Sequence, residues 1–411
     1  GRDEIIAFRR GQQSTQYPRA PVGMVYPGDP GITRPTYPAD WNNLGPRVGL
    51  AWQPFGVKSR TTIRAAYGVF YNAMRGYLLN EVQIAQPFVL RIARNDPPSF
   101  EDPWSGFAGG DPFPFTPPST TEQKRNYQFV TPTGIQRYFG PDNMTSYNQQ
   151  WHFTLQQEVA GTVLSGAYVG SKGTRLMINY EANQAVFIPG NNASGQANST
   201  TANIDQRRPL RDFQTLNAAE AIGNSTYHSL QLSANRRFAR GIYFLANYTY
   251  SKALDLQSVD RNAGIIQDTN NFRADKGLAD FHRDHMFVAS FLVEIPSHWR
   301  KGFAGAVTSG WQANGIYNYT SGAPLTVVPG TDRSLAGGGT QRADVTGDWR
   351  LASGRSFDQQ RAAYFNTAVF RPAALGSFAN RARESITPVV MLFLAAGALA
   401  PSASLGAVVD P

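Results

Sequence analysis

Ser59-Arg-Thr-Thr-Ile-Arg-Ala-Ala-Tyr-Gly-Val-Phe-Tyr-Asn72 carries the decisive pattern. Ile63, Ala65, Tyr67, Val69 and Tyr71 are apolar or aromatic, and Thr62, Arg64, Ala66 and Gly68 between them are polar or small. Successive strand residues face opposite sides of a sheet, so this period of two describes a strand with one greasy face. The same alternation recurs along the chain. Val48, Leu50 and Trp52 show it, then Trp151, Phe153 and Leu155, then Val163 to Gly170. Leu230 to Ala234, Phe244 to Tyr250, Phe287 to Val293 and Trp311 to Tyr319 repeat it. Helical spacing fits none of these eight segments as well. Further strands are expected at Ile5 to Phe8, Gln83 to Ile92, Arg175 to Tyr180 and Tyr364 to Phe370.

The connections alternate as regularly as the side chains. Short ones join Trp52 to Thr61, Glu158 to Thr162, Arg237 to Ile242 and Ile295 to Phe303, and these read as tight hairpins. Long ones, rich in Gly, Pro, Asn, Asp and Ser, run from Tyr71 to Asn148, Gly170 to Ser229, Lys252 to His285 and Tyr319 to Tyr364. Short turns at one end and long loops at the other are the habit of a transmembrane β-barrel, whose outer face is apolar, whose lumen is polar and whose interfaces carry aromatic girdles. Trp52, Trp151, Trp311, Tyr71, Tyr250 and Tyr319 fall at or near strand ends, where amphipathic rings suit a membrane interface. The competing reading is a soluble sheet in which the same rings form a core.

Composition agrees with a β-rich chain. Of 411 residues 41% are hydrophobic and 12% aromatic, and only 16% are charged, against roughly 25% in ordinary soluble domains. The uninterrupted apolar run Val389 to Ala400 is too short for a spanning helix, which needs ~20 residues. The absence of cysteine excludes disulfide scaffolds, thiolate metal sites and cysteine catalysis. The net charge of +9 comes from scattered residues and pairs such as Arg207-Arg208 and Arg236-Arg237. No basic stripe supports nucleic-acid binding. Arg236, Arg237 and Arg240 surround a short turn, which a solvated periplasmic turn explains.

The blocks Asn42-Asn-Leu-Gly-Pro-Arg-Val-Gly-Leu-Ala-Trp52, Thr62 to Asn72, Trp151 to Glu158 and Ala167-Tyr-Val-Gly-Ser-Lys-Gly-Thr174 resemble the barrel of Oar-like TonB-dependent receptors. Tyr227 to Phe238, Tyr248 to Leu254, Asp280 to Ser290 and Gly310 to Pro324 continue the resemblance, which covers about Asn42 to Asn380. It implies an all-β fold, an antiparallel transmembrane β-barrel of about 22 strands with a plug in the lumen. It also implies a place in the cell outer membrane of a Gram-negative-type bacterium, and ligand uptake powered by an inner-membrane TonB complex. The partners expected are outer-membrane lipid, the plug domain and TonB complex of the full-length protein, and a small ligand of unknown identity.

The segments found amount to about half such a barrel, so a partial, open or curled sheet is expected. The chain begins Gly1-Arg-Asp-Glu4 without an initiator Met or a charged-then-apolar leader and reads as a fragment. Residues 1–41 are expected to be a strand and loop remnant, 42–385 the receptor barrel region, and 386–411 an atypical apolar tail. In that tail the alternation stops, and a frameshifted or misassembled tail after roughly Ser385 is expected; a real apolar helix or a divergent last strand is the alternative.

Catalytic constellations are missing from the sequence. Asp280-x-His282-x-Asp284-His285 offers metal-ligand residue types, but on a strand His285 faces away from His282 and Asp284, and a polar barrel rim entering a strand explains the cluster better. Gly170-Ser-Lys-Gly-Thr174 lacks the spacing of a phosphate loop and reads as a strand end entering a loop. No catalytic, cofactor-binding or metal-binding residue is assigned, and no cofactor is expected. Phe100 to Phe115 and Asn191 to Asn203 are the candidate ligand contacts. The expected function is therefore a non-catalytic receptor or transporter barrel; the alternative from another class is a secreted or surface β-rich adhesion or carbohydrate-binding protein.

Overall fold

The computed structural model describes residues 4–33, 37, 39–73, 76–89, 99–106, 110–111, 113–258, 266–296, 303, 310–338, 341–379 and 391–399. In chain order the strands are β1 (Ala7–Phe8), β2 (Met24–Val25), β3 (Arg47–Trp52), β4 (Thr61–Tyr71), β5 (Thr133–Phe139), β6 (Tyr147–Val159), β7 (Thr162–Glu181) and β8 (Phe213–Ala239). Then follow β9 (Ile242–Asp255), β10 (Gly277–Leu278), β11 (His285–Glu294), β12 (Gln312–Thr320), β13 (Asp344–Val345), β14 (Phe370–Arg371) and β15 (Met391–Leu399). Among the described residues the helices are short, including Gly76–Glu81, Thr121–Asn126 and Phe357–Ala362. No described helix is long and apolar enough to cross a membrane.

One sheet dominates. Its hydrogen-bonded order is β15-β12-β11-β9-β8-β7-β6-β4-β3, and β5 and β10 pair to its side, giving eleven strands in an open array. All eight expected alternating segments lie in it, each antiparallel to its chain neighbour. β3 and β15 form the two ends and do not pair with each other.

Two of the hairpins are as tight as a hairpin can be. Ala160 and Gly161 have φ of 48° and 76°, and Arg240 and Gly241 have φ of 54° and 76°. Positive φ at both central residues is the I′ geometry, whose twist matches that of the strands it joins. These turns link β6 to β7 and β8 to β9. The Tyr71 to Tyr147, Glu181 to Phe213 and Asp255 to His285 connections all lie at the opposite end.

Register places the side chains row by row. On one face Leu50 stands beside Ala65, Ala65 beside Phe153, Phe153 beside Tyr168, Tyr168 beside Leu230, and Leu230 beside Tyr250. A second row runs Trp52, Ile63, Leu155, Gly166, Leu232, Tyr248 and Phe287. Many of these are exposed, Leu50 at 58% and Phe153 at 51%. A continuous apolar surface of this extent is foreign to a water-soluble monomer and suited to lipid. Rings stand at both ends of it, with Trp52 and Trp311 beside the short turns and Tyr71, Trp151, Tyr250 and Tyr319 toward the long loops.

The other face is mainly polar. One of its rows reads Gln156, Ser165, Ser233, Asn247, Val288 and Asn318; another reads Arg64, Thr154, Ala167, Gln231 and Thr249. The contrast weakens at β11 and β12, where Val288 and Ile316 join this face.

Several boundaries differ from the sequence reading. Gly170 to Thr174 is not a strand end: β7 continues to Glu181, and Ser171 to Thr174 pair with Tyr227, Thr226, Ser225 and Asn224. The expected strand at Arg175 to Tyr180 is that continuation. Gln83 to Ile92 is not a strand over its described part; Gly76–Glu81 is helical, turns follow, and the Gln86 side-chain amide donates to Val130 O at 2.9 Å and Thr133 Oγ1 at 3.0 Å. Ile5 to Phe8 and Tyr364 to Phe370 reduce to the two-residue β1 and the first residue of β14. Met391–Leu399 runs antiparallel to β12 as a strand rather than a helix.

Candidate functional site

A membrane strand needs only ~9–11 residues. Counted from the tight turns, β7 has crossed by about Lys172 and β8 by about Tyr227, yet β7 runs on to Glu181 and β8 begins at Phe213. These extensions stand beyond the loop-end girdle, and the long connections fold around them as a cap. Nearly all the buried apolar side chains among the described residues are here.

The main cluster joins Ile6, Phe8, Tyr17, Met24 and Tyr26 from the first residues to Ala85, Ile135, Tyr138, Phe213 and Leu216. Phe8 lies 5.1 Å from the Tyr138 ring and 5.6 Å from Phe213, the latter edge-on. A second cluster joins Ile178 of the β7 extension to Leu256 and Ile266. Loops that would be solvated in isolation are thus tied down by burial, with ~25 cal/mol gained per Å² of apolar surface removed from water.

Polar groups complete the cap. Arg137, 1% exposed, pairs with Glu81 and donates to Asn179 Oδ1. Arg207 donates to Asn203 Oδ1, Val186 O, Thr200 O and Leu335 O, bridging the β7–β8 connection to the segment after β12. Arg208 donates to Asp205 at 2.8 Å and to Asn183 O at 2.6 Å. Arg342 pairs with Asp275, and its backbone N–H donates to Gln267 Oε1. Asp29 accepts from Ser14 Oγ, Thr15 N and Oγ1, Gln16 N and Tyr26 N. Burial alone would push the Asp29 carboxyl up, and these hydrogen bonds overcome it, holding it below the ordinary carboxylate value.

The two candidate contact stretches differ in character. Phe100 is 95% exposed, and Trp104 packs on Phe113 with centroids 5.7 Å apart, so this loop presents bare aromatic surface. In Asn191 to Asn203 the amides of Asn192, Asn198 and Asn203 bond to their own loop and its flanks. Asn192 Oδ1 accepts from Ser194 N and Gln196 N, Asn198 donates to Pro189 O, and Asn203 accepts from Thr200 N and Arg207 Nε. Those side chains hold their own loop in shape.

The histidine cluster is divided. His282 is buried, accepts from Ala253 N–H at Nδ1 (3.2 Å) and therefore donates from Nε2 to Asp284 Oδ1 at 3.0 Å. His285 lies in β11, stacked on Tyr248, with Nδ1 2.8 Å from its hydroxyl. The two imidazoles serve different neighbours. No group of metal-ligating side chains occurs among the described residues. What sequence reasoning missed was the set of buried guanidiniums; Arg207-Arg208 was visible as a pair, but its burial depends on acceptors distant in sequence.

An open antiparallel meander with a lipid-suited face, a polar face, tight turns at one end and a folded cap at the other is an outer-membrane-type β-barrel sheet. The chain belongs to the outer membrane beta barrel domain family, whose model matches residues 2–389. Its setting is accordingly the outer membrane of a Gram-negative-type bacterium. Among solved structures it is similar to the outer membrane transporter YddB from Escherichia coli, with 11% identity and a TM-score of 0.41 over 71% of this chain and 30% of that one. It is also similar to the FrpB iron transporter from Neisseria meningitidis, with 13% identity and a TM-score of 0.35 over 73% and 30%. For the ferric-catecholate import receptor Fiu from K12 E. coli the figures are 9%, 0.32, 71% and 26%. The chain spans less than a third of the length of these proteins. No curated protein matches the sequence.

Proposed function

We propose that this chain is part of the barrel of a TonB-dependent outer-membrane receptor that binds a small ligand and takes it up, without catalysing a reaction. The observation that carries this reading is the cap. A passive pore needs open access at its loop end, whereas here residues from the start of the chain and from every long connection pack into shared cores and buried ion pairs around the β7 and β8 extensions. Preorganised loops suit selective capture of a ligand. The polar sheet face below them, rich in Gln, Asn, Ser and Thr, supplies neutral hydrogen-bonding groups to a lumen. The sequence blocks that resemble Oar-like receptors support the same assignment.

In this reading the plug and the TonB-coupled energy source belong to the full-length protein, and the open sheet by itself does not transport. The test is fractionation followed by uptake. A heat-modifiable band in the outer membrane and ligand accumulation that stops when the inner-membrane proton gradient is collapsed are expected. A detergent-free soluble monomer would refute the receptor reading and favour a surface adhesion protein. Ligand-specific flux through vesicles holding this chain alone would refute the dependence on a plug and TonB.

A further inference from the structure

The lipid-suited face is not uniformly full. Where β6, β7, β8 and β9 lie side by side, a trough of about 470 Å³ opens on it, lined by Leu155, Gln157, Leu164, Gly166, Leu232, Ala234, Ala246, Tyr248 and Phe287 among others. Its floor is made by the small residues Gly166, Ala234 and Ala246, and its walls by large ones. The Tyr248 wall is braced by its bond to His285. Leu155, Leu164 and Leu232 remain 44–47% exposed, so the protein itself does not fill the space between them.

Polarity changes along the trough. Two residues from Ala234 on the same face, toward the tight turns, stands Arg236, beside Thr162 on β7 and Phe244 on β9. Arg236 Nη1 donates to Ala160 O at 3.3 Å, while its Nε–H is shielded and has no hydrogen-bond partner. No carboxylate pairs with it among the described residues. A guanidinium held at the edge of an apolar surface with no paired carboxylate is suited to a phosphate oxygen. An aliphatic slot with an arginine one row beyond its lining is complementary to an acyl chain joined to an anionic headgroup.

We propose that this trough is a binding site for one anionic phospholipid, its acyl chain lying along Gly166, Ala234 and Ala246 and its phosphate on Arg236. The site rests on membership of the outer-membrane barrel family and is independent of the transport reading. The basic turn residues then divide by role: Arg240 lies in the turn itself, whereas Arg236 faces lipid.

Native mass spectrometry of the full chain, extracted in mild detergent and titrated with phosphatidylglycerol or with phosphatidylethanolamine of the same acyl chains, tests this. Phosphatidylglycerol should bind about tenfold more tightly, a difference of ~1.4 kcal/mol. Arg236→Gln should remove that preference and Arg236→Lys should keep most of it. Ala234→Leu, which fills the floor, should weaken both lipids while leaving Arg236 in place. Equal binding of the two lipids by the native chain, or an unchanged preference in Arg236→Gln, overturns the proposal. Should Arg236→Gln not fold, as read from β-strand circular dichroism, the Ala234→Leu result decides: unaltered phosphatidylglycerol binding refutes the site.

Discussion

Arginine placed on alternate residues of β6 should separate the two faces of the sheet by energy. Phe153 is the seventh of the thirteen residues from Tyr147 to Val159. At ~3.3 Å per residue and a tilt near 45°, it lies roughly 14 Å from the turn end, the middle of an apolar band ~25 Å tall. Its row neighbours are Ala65 and Tyr168, neither of which can neutralise a charge. Phe153→Arg should therefore cost about 2–4 kcal/mol of stability in lipid, a shift of roughly 30- to 700-fold in the folding equilibrium. His152, one residue away, lies in the polar-face row with Ala66 and Val169. There Arg exchanges one polar side chain for another and should cost under about 1 kcal/mol. The assay is a urea titration in thin phosphatidylcholine vesicles followed by tryptophan emission, with heat-modifiable mobility reporting the folded fraction. Equal costs at the two positions, or a Phe153→Arg chain as stable as the native one, would falsify the assignment of faces.

Further expectations concern the cap and the girdle. Arg137→Ala leaves Glu81 and Asn179 buried without their cation and should destabilise the cap by about 3–5 kcal/mol, read as faster hydrogen exchange in 133–139 and 177–181 with little change in β11. Asp29 sets a pH dependence: its folded carboxyl lies below the ordinary 3.8, so its contribution is complete above that value and is lost as pH falls through the folded one. Asp29→Asn should flatten the acid limb of cap unfolding, and an unchanged limb would refute the role. A Cβ on Gly170 would lie 2.3 Å from the Trp151 indole, so Gly170→Ala should push the ring aside, shift its emission and cost ~1–3 kcal/mol; an unshifted spectrum would contradict the packing. The proposed frame change after about Ser385 predicts that another reading frame of the encoding DNA continues in an alternating, aromatic-ended strand, and failure in both other frames refutes it.

The eight strands of the meander were legible because each side chain meets one of two solvents, and that contrast is written locally at a period of two. Trp151 and Phe153 against His152 and Thr154 need no knowledge of the rest of the chain. The extension of β7 was not legible for the opposite reason. Ser171-Lys172-Gly173 has loop composition, and only pairing on both sides, with Gln150, Gln149 and Asn148 of β6 and with Tyr227, Thr226 and Ser225 of β8, makes it a strand. The cap was least legible of all, since Phe8 is buried by Tyr138 and Phe213, and Arg207 is satisfied by Leu335 O across more than a hundred residues. Of the candidate contact stretches, the aromatic one leaves the rings of Phe100 and Phe113 exposed. Asparagine content did not separate an offered amide from one folded back onto its own loop.

The I′ turns at Ala160-Gly161 and Arg240-Gly241 also set a sequence of events. Each closes a hairpin over two residues, at almost no cost in chain entropy, whereas the cap must gather segments from the first and last thirds of the protein. Our hypothesis is that the β6–β7 and β8–β9 hairpins form early and the cap consolidates last, as the part most easily opened again. Pulse-labelling hydrogen exchange should show amides near Ser165 and Ser233 protected before those of Phe213 and Leu216; the reverse order would rule it out. On the proposed receptor reading, a cap that assembles last and loosens first can admit a ligand without disturbing the wall that holds the protein in its membrane.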